Sequence, residues 1–359
     1  MKFKITSRRL AGLGLLLASG CASAAVTFST FIQAADINAT LGQNNTIAIT
    51  YAGDKFVGTV YFGPNNLQLY QSDLNGGSVQ KFGDPLPSGG GEPVVAAGLG
   101  QAGFAAGAIY ASGSDSKIYR YAPNGGAPTL FASTDDNSGV RQIFFDPGSS
   151  FGGKMLVTTT SGHILSFDSS GNRTLIASVG EDTEGMDIAS ANYGKYAGQL
   201  LVVSEGSGKV RAIKADGTVT ELKDVGGNAI RISAAETVST VPLDLGLSGN
   251  PLEGFYVANY ATDVQKAGAD QFAGLLGDTL VTSEFGSNSP LWDLHYNGDV
   301  LDSFTVSQVG TLPGQSEDGI FVTAQRIQDV NPTPEPGMPA LAAAALLALG
   351  WARRRQTKR

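Results

Sequence analysis

Cysteine is almost absent. Cys21 is the single cysteine among 359 residues, and it falls inside a leader-like segment. Removal of that segment leaves no thiol, which excludes disulfides, thiolate metal sites and cysteine nucleophiles. Histidine is nearly as scarce: His163 and His295 are the only two, far apart in sequence and in no HxxxH-type ligand pair. Both read as surface or packing residues. Charge is thin, at 16% of residues against about 25% in ordinary soluble domains. No phosphate loop is present, since Ser88-Gly89-Gly90-Gly91 lacks the following Lys-Ser/Thr. Gly148-Ser149-Ser150-Phe151-Gly152 matches Gly-x-Ser-x-Gly by letter, but Asp146-Pro147 stand before it and a strand pattern after it. It reads as a turn rather than a nucleophile elbow. No catalytic residue is assigned.

What is abundant is glycine, 48 residues, together with 42% hydrophobic residues. The hydrophobic share rules out global disorder, and the glycines lack the three-residue period of collagen. Many short strands joined by tight turns fit this composition. The net charge of −8 hides three regions. Residues 1–24 carry four basic and no acidic side chains, residues 25–332 carry 15 basic and 31 acidic, and residues 333–359 carry five basic and one acidic. A central body at −16 repels phosphate backbones and argues against nucleic acid as a partner.

Both ends read as addresses. Met1-Lys2-Phe3-Lys4 and Arg8-Arg9, the apolar run from Leu10 to Ala18, and Ala22-Ser23-Ala24 follow the order of a secretory signal peptide, with cleavage after Ala24. Two rival readings stay open: a lipoprotein box at Ala18-Ser19-Gly20-Cys21, and a twin-arginine signal at Ser7-Arg8-Arg9-Leu10. At the other end, Pro332-Thr333-Pro334-Glu335-Pro336 is a stiff linker. The uncharged run Met338 to Ala352 and the cluster Arg353-Arg354-Arg355 follow it. Fifteen helical residues reach ~22 Å, short of the ~30 Å hydrocarbon core, so anchoring needs thinning and arginine snorkelling. The arginines belong on the cytoplasmic side and the acidic body outside.

This tail resembles the PEP-CTERM sorting signal, on Pro334-Glu335-Pro336 with the hydrophobic run and arginine cluster behind it. The resemblance implies export across the inner membrane, transient anchoring by the C-terminal helix and processing by an exosortase. It also implies a cell-surface or extracellular role tied to exopolysaccharide and biofilm. The domain reading is therefore 1–24 signal peptide, 25–330 body and 331–359 sorting signal.

The body repeats. Alternating strands run into tight turns whose glycines stand at 76, 125, 171, 217 and 298, with spacings of 49, 46, 46 and 81. Strands beginning at Gly153, Gly198 and Gly277 precede the hairpins, and Glu92-Pro93, Ser138-Gly139, Glu184-Gly185, Glu253-Gly254 and Asp318-Gly319 stand further upstream. Four strands per unit of about 46 residues is the pattern of a β-propeller blade. Blades are expected near 46–83, 92–134, 139–179, 184–225 and 253–306, with 228–250 as an eroded blade or an insertion. The strand after Asp318 is expected to complete a blade with the segment after Val26. The fold class is all-β, a propeller of about six four-stranded blades, and a pair of β-sandwiches is the alternative.

The period and strand pattern resemble six-bladed propellers of the gluconolactonase and NHL-repeat type. The acidic-Gly strands are the expected innermost ones, so Glu92, Glu184, Glu253 and Asp318 are expected to converge on one rim of the central channel. Such a ring suits Ca²⁺, a hard cation that takes six to eight oxygens. In the family a glutamate of a comparable Glu-Gly motif ligates a catalytic metal, and Glu184 and Glu253 resemble it. Aromatics on the third strands, Tyr70, Tyr119, Tyr121, Trp292 and Tyr296, fit either sugar stacking or packing between blades. Two functions follow: a non-enzymatic surface propeller that binds extracellular polysaccharide or another protein, and a divalent-metal-dependent hydrolase of the lactonase type.

Overall fold

The computed structural model describes residues 25–63, 67–284 and 286–330. The expected signal peptide, the Pro-Glu-Pro motif, the anchor helix and Cys21 all lie outside these residues. Among the described residues no helix is long and apolar enough to cross a membrane.

Six four-stranded antiparallel sheets form a closed ring. The first strand, β1 (Ser29–Ile32), and helix α1 (Ala34–Leu41) precede blade 1. Blade 1 is β2 (Thr46–Tyr51), β3 (Phe56–Val60), β4 (Leu69–Ser72) and β5 (Gln80–Phe82). Blade 2 is β6 (Val94–Ala97), β7 (Ile109–Ser112), β8 (Lys117–Ala122) and β9 (Gly125–Ser133). Blade 3 is β10 (Val140–Phe145), β11 (Met155–Thr159), β12 (His163–Phe167) and β13 (Arg173–Ser178). Blade 4 is β14 (Met186–Ile188), β15 (Leu200–Val203), β16 (Val210–Ile213) and β17 (Val219–Glu221). These four agree with the period seen in sequence.

The last two blades are interlaced, and here the expected division fails. After β18 (Ala235–Thr240) the chain leaves to make the hairpin β19 (Gly254–Tyr260) and β20 (Val264–Gly268). It then returns for β21 (Thr279–Ser283), β22 (Asn288–Tyr296) and β23 (Phe304–Pro313) before ending the ring with β24 (Gln315–Val322). Blade 5 is β18-β21-β22-β23, and blade 6 is β24-β19-β20-β1. Residues 253–306 are thus not one blade, and the segment 228–250 contains the innermost strand of blade 5. The expected closure from both ends is correct: Ser29 and Thr30 pair with Lys266 and Gln265, so β1 covers the outer edge of β20 and completes the blade.

Packing between blades explains why the third-strand aromatics recur. Tyr70 and Tyr121 are fully buried, Tyr119 and Tyr296 nearly so, and the Tyr121 hydroxyl donates to the Asp84 carbonyl at 2.9 Å. They are core residues. Where blade 6 meets blade 1, Phe31 packs edge-on against Phe56 and Tyr256 at 4.9 and 4.8 Å, and those two rings tilt against each other at 4.6 Å. The hairpin glycines also serve the junctions. A Cβ on Gly171 would lie 2.5 Å from the Phe131 carbonyl of the preceding blade, and one on Gly217 2.4 Å from that of Ile176. With φ near +85° as well, these two positions are closed to other residues.

Asp263 ties the closing strand to the hairpin it covers. Its carboxylate accepts from the Thr30 hydroxyl at 2.7 Å and from the Ala34 amide, at the start of α1, at 2.8 Å. Asp263→Ala is expected to cost about 1 kcal/mol, read as a lower urea midpoint with an unchanged m-value.

Candidate functional site

The six innermost strands, β2, β6, β10, β14, β18 and β24, run side by side around the axis and line a channel cavity of about 420 Å³. A belt of polar side chains fastens neighbouring inner strands. The Ala97 amide donates to Thr50 Oγ1 (3.2 Å), the Met186 amide to Gln142 Oε1 (2.5 Å) and the Thr240 amide to Asp187 Oδ2 (2.8 Å). Ser239 Oγ donates to the Gly319 carbonyl and the Ile49 amide to Asp318 Oδ2, both at 3.2 Å. Inner strands are narrow at the axis and cannot pair with each other as sheet strands do, so side chains satisfy these backbone groups.

The end where the inner strands begin is the mouth, and it is crowded with carboxylates. Glu92, Glu184, Glu236 and Glu317 line it. Asp182, Glu205 and Glu284 stand close enough to act on them. One guanidinium, Arg141, pairs with three of them. Arg141 Nη1 donates to Glu92 at 2.7 Å, and Nε and Nη2 hold Asp182 at 3.0 and 2.5 Å. Arg141 Nε also lies 3.0 Å from Glu184. Burial pushes Glu184 above the ordinary carboxylate range despite that contact. Glu236 is also held well above it, by burial first and then by repulsion from Glu184, Glu317, Glu284 and Glu205. Glu317 rises to about 9 for the same reasons. Its Oε1 is buried with no hydrogen-bond partner. Glu284, beside Glu205, rises to about 7. The upward shifts at Glu184, Glu236 and Glu317 favour their protonated forms, so a cation drawing on these groups would displace protons.

Of the four acids expected on one rim, the structure brings together Glu92 and Glu184. Asp318 lines the same channel but deeper, where it fastens blade 6 to blade 1. Its neighbour Glu317 takes the rim position. Glu253 is elsewhere: it precedes a second strand, β19, rather than an innermost one, and its carboxylate accepts from the Gly246 amide at 2.5 Å and from the Ser248 hydroxyl. It holds the 241–253 loop. Glu236 occupies the position expected of Glu253 because β18, not β19, is the inner strand of blade 5.

The other suspected motifs are structural. Asp146, fully buried, gathers the Gly148, Phe151 and Gly153 amides at 2.6–3.1 Å, so the Gly-x-Ser-x-Gly segment is a turn wrapped on a carboxylate. His163 pairs with Asp136, and His295 with Asp278 at 2.9 Å, both away from the channel.

At the far end, helix α2 (Ala324–Val330) follows β24 and lies along the base of the channel. It runs from blade 6 to the 98–107 loop of blade 2, where Gln101 Nε2 approaches Asp329 at 3.4 Å and Val330 packs against Gly107. Arg326 projects from it into the channel, and its Nη2 donates to Thr50 Oγ1 at 3.3 Å. Nothing in the sequence marked Arg326 or Arg141, since neither falls in a repeating motif.

Two solved structures are similar to this chain. A streptogramin B lyase structure is 12% identical, with a TM-score of 0.46 over 79% of this chain and 72% of that one. An auxiliary nutrient binding protein from Bacteroides thetaiotaomicron is 12% identical, with a TM-score of 0.42 over 63% of this chain and 59% of its own length. No family model matches the sequence, and no curated protein does.

The mouth offers only oxygen donors, which suits a hard cation such as Ca²⁺ and not zinc. No three carboxylates among the described residues already stand at ligating spacing. A cation would have to draw Glu184, Glu236 and Glu317 inward, which the unpartnered Glu317 oxygen makes inexpensive.

Proposed function

We propose that this protein is an exported, surface-displayed binding propeller, sorted through Pro334-Glu335-Pro336 and its tail by an exosortase, which takes an extracellular ligand into its channel with Ca²⁺ at the mouth. The observation that carries this reading is the mouth itself, where seven carboxylates gather at the entrance to a 420 Å³ cavity and only three of them pair with Arg141. That volume is within the range of small-ligand sites, ~300–1,000 Å³. An acidic rim of this kind is costly to the apo protein and is compensated by a bound cation. The tail supports surface display, and polysaccharide is the ligand that this location suggests.

Calorimetric titration with CaCl₂ at pH 8 tests the site. The expected result is one binding event with a dissociation constant of about 10⁻⁴–10⁻³ M, as for extracellular calcium modules, accompanied by proton release. Absence of binding heat and of proton release would end the calcium reading. Turnover of glucono-1,5-lactone by the calcium-loaded protein would replace the binding module with the hydrolase. For sorting, Glu335→Ala in an exosortase-bearing host is expected to leave the tail uncut, seen as unprocessed chain in the membrane fraction.

A further inference from the structure

The base of the channel differs chemically from its mouth. Arg326, Asp187, Asp318 and Asp329 all line the bore there, and the guanidinium feels the charge of all three carboxylates. Yet no direct ion pair within 4 Å joins them among the described residues. Asp187 and Asp318 both accept backbone amides, Asp187 from its own neighbour Ile188 at 2.7 Å and from Thr240 of the next blade at 2.8 Å, and Asp318 from Ile49 of the next blade at 3.2 Å. The guanidinium is held by Thr50 at 3.3 Å, and its Nε has no partner. A donor fork and two carboxyl groups thus line one cavity without forming an ion pair. Ile47, Val94, Ile143, Met186 and Ile320 line the bore around them.

The gap selects its occupant. An anionic group would meet Arg326 but also two carboxyls that burial already disfavours as anions, and an ammonium would meet the carboxyls but be repelled by Arg326. A neutral hydroxyl accepts from the guanidinium with its oxygen and donates its proton to a carboxylate, so it bridges the walls without an unpaired charge. Two carboxylates and one guanidinium call for more than one hydroxyl on a small frame, and the apolar walls suit the C–H face of a ring.

We propose that the channel base, formed by Arg326, Asp187 and Asp318, is a binding subsite for a neutral polyhydroxylated ring of about hexose size. This deepens the binding-propeller reading by naming the chemistry of its ligand, and it does not require calcium at the mouth.

The test uses the purified full chain and four neutral hexoses (glucose, galactose, mannose and N-acetylglucosamine), with glucuronate and glucosamine as charged probes. Binding is read by saturation-transfer NMR and calorimetry. At least one neutral hexose is expected to bind at least tenfold more tightly than both charged sugars. Arg326→Gln is expected to weaken that binding by tenfold or more. Asp187→Asn keeps one acceptor oxygen for the Thr240 amide and loses the one for Ile188, and where the variant is folded it should weaken binding severalfold. A circular-dichroism melt checks that each variant is folded. Tighter binding of glucuronate or glucosamine, hexose binding unchanged in both folded variants, or no binding of any neutral hexose would each overturn the proposal. A calcium-dependent shift in melting temperature that survives in Arg326→Gln would show the mouth acting separately from the base.

Discussion

Raising the pH of the calcium-free protein from 5 to 9 is expected to lower its melting temperature steadily, and adding CaCl₂ is expected to restore it at pH 8 but not at pH 5. The folded protein holds protons on Glu184, Glu236 and Glu317 that the unfolded chain releases near the ordinary glutamate value. A carboxyl whose folded pKa is raised stabilises the fold fully at low pH. It loses that contribution as pH climbs toward the folded value, about 9 for Glu317. The acid limb has a different origin. Turn aspartates such as Asp73, Asp168 and Asp224 accept backbone amides at 2.8–2.9 Å, which holds their carboxyls below the usual range. Their contribution is present above about pH 4 and fades below it. Calcium binds the ionised rim, so its effect grows with pH and reaches about 2.7 kcal/mol at a hundredfold excess over the dissociation constant. The double variant Glu236→Gln/Glu317→Gln should flatten the pH slope and abolish the calcium response. A melting temperature that rises from pH 5 to 8 without calcium would contradict this account of the rim.

Gly185→Ala is expected to destabilise the protein by about 3 kcal/mol, at the upper end for an overpacked core position. Gly185 begins the inner strand of blade 4 and donates its amide to the Glu236 carbonyl of blade 5 at 2.8 Å. A methyl group there would lie 2.5 Å from the Val238 nitrogen and 2.6 Å from both the Glu236 oxygen and Thr237 Cα. All three are backbone atoms on a strand already fixed by its own sheet, so nothing can swing aside. Gly206→Ala is the matched control, since a Cβ there meets no atom within 4 Å, and it should change stability by about 0.5 kcal/mol or less. Chemical denaturation of both variants measures the difference. Because the added methyl parts Glu184 from Glu236, Gly185→Ala should also weaken calcium binding. Equal stability of the two variants would mean that the inner strands are not packed as tightly as described.

The same close approach explains what the sequence could and could not reveal. Recurrent Glu-Gly and Ser-Gly pairs were legible because small residues are needed wherever inner strands crowd the axis, and the Asn-Gly, Ser-Gly and Asp-Gly turns of blades 1 to 4 because those hairpin tips abut the preceding blade. That regularity located blades 1 to 4. It misled at Glu253-Gly254, which has the same letters for another reason: Glu253 caps its own loop, and Gly254, with φ near +154°, enters a second strand. Reading blades as continuous stretches also hid β18, although Ala235-Glu236-Thr237-Val238-Ser239-Thr240 alternates as an inner strand should. At the rim, Glu317 and Asp318 are adjacent, so only the register of β24 decides which one faces the mouth. Arg141 and Arg326 act through distance across the channel, which no local pattern encodes.

The interlacing of blades 5 and 6 has a consequence for the order of folding. Blades 1 to 4 each use one continuous stretch and can form as they emerge, whereas β1, the first strand made, has no partner until Val264 is available. Contacts such as Thr27 with Gln271, 244 residues apart, place ring closure at the end of the process. Blade 5 cannot be completed before the β19–β20 hairpin has been handed to blade 6, so the two mature together. A chain threaded N-terminus first across a membrane would therefore keep its ring open until nearly all of it had crossed, and a stall late in translocation would leave four finished blades with a waiting β1.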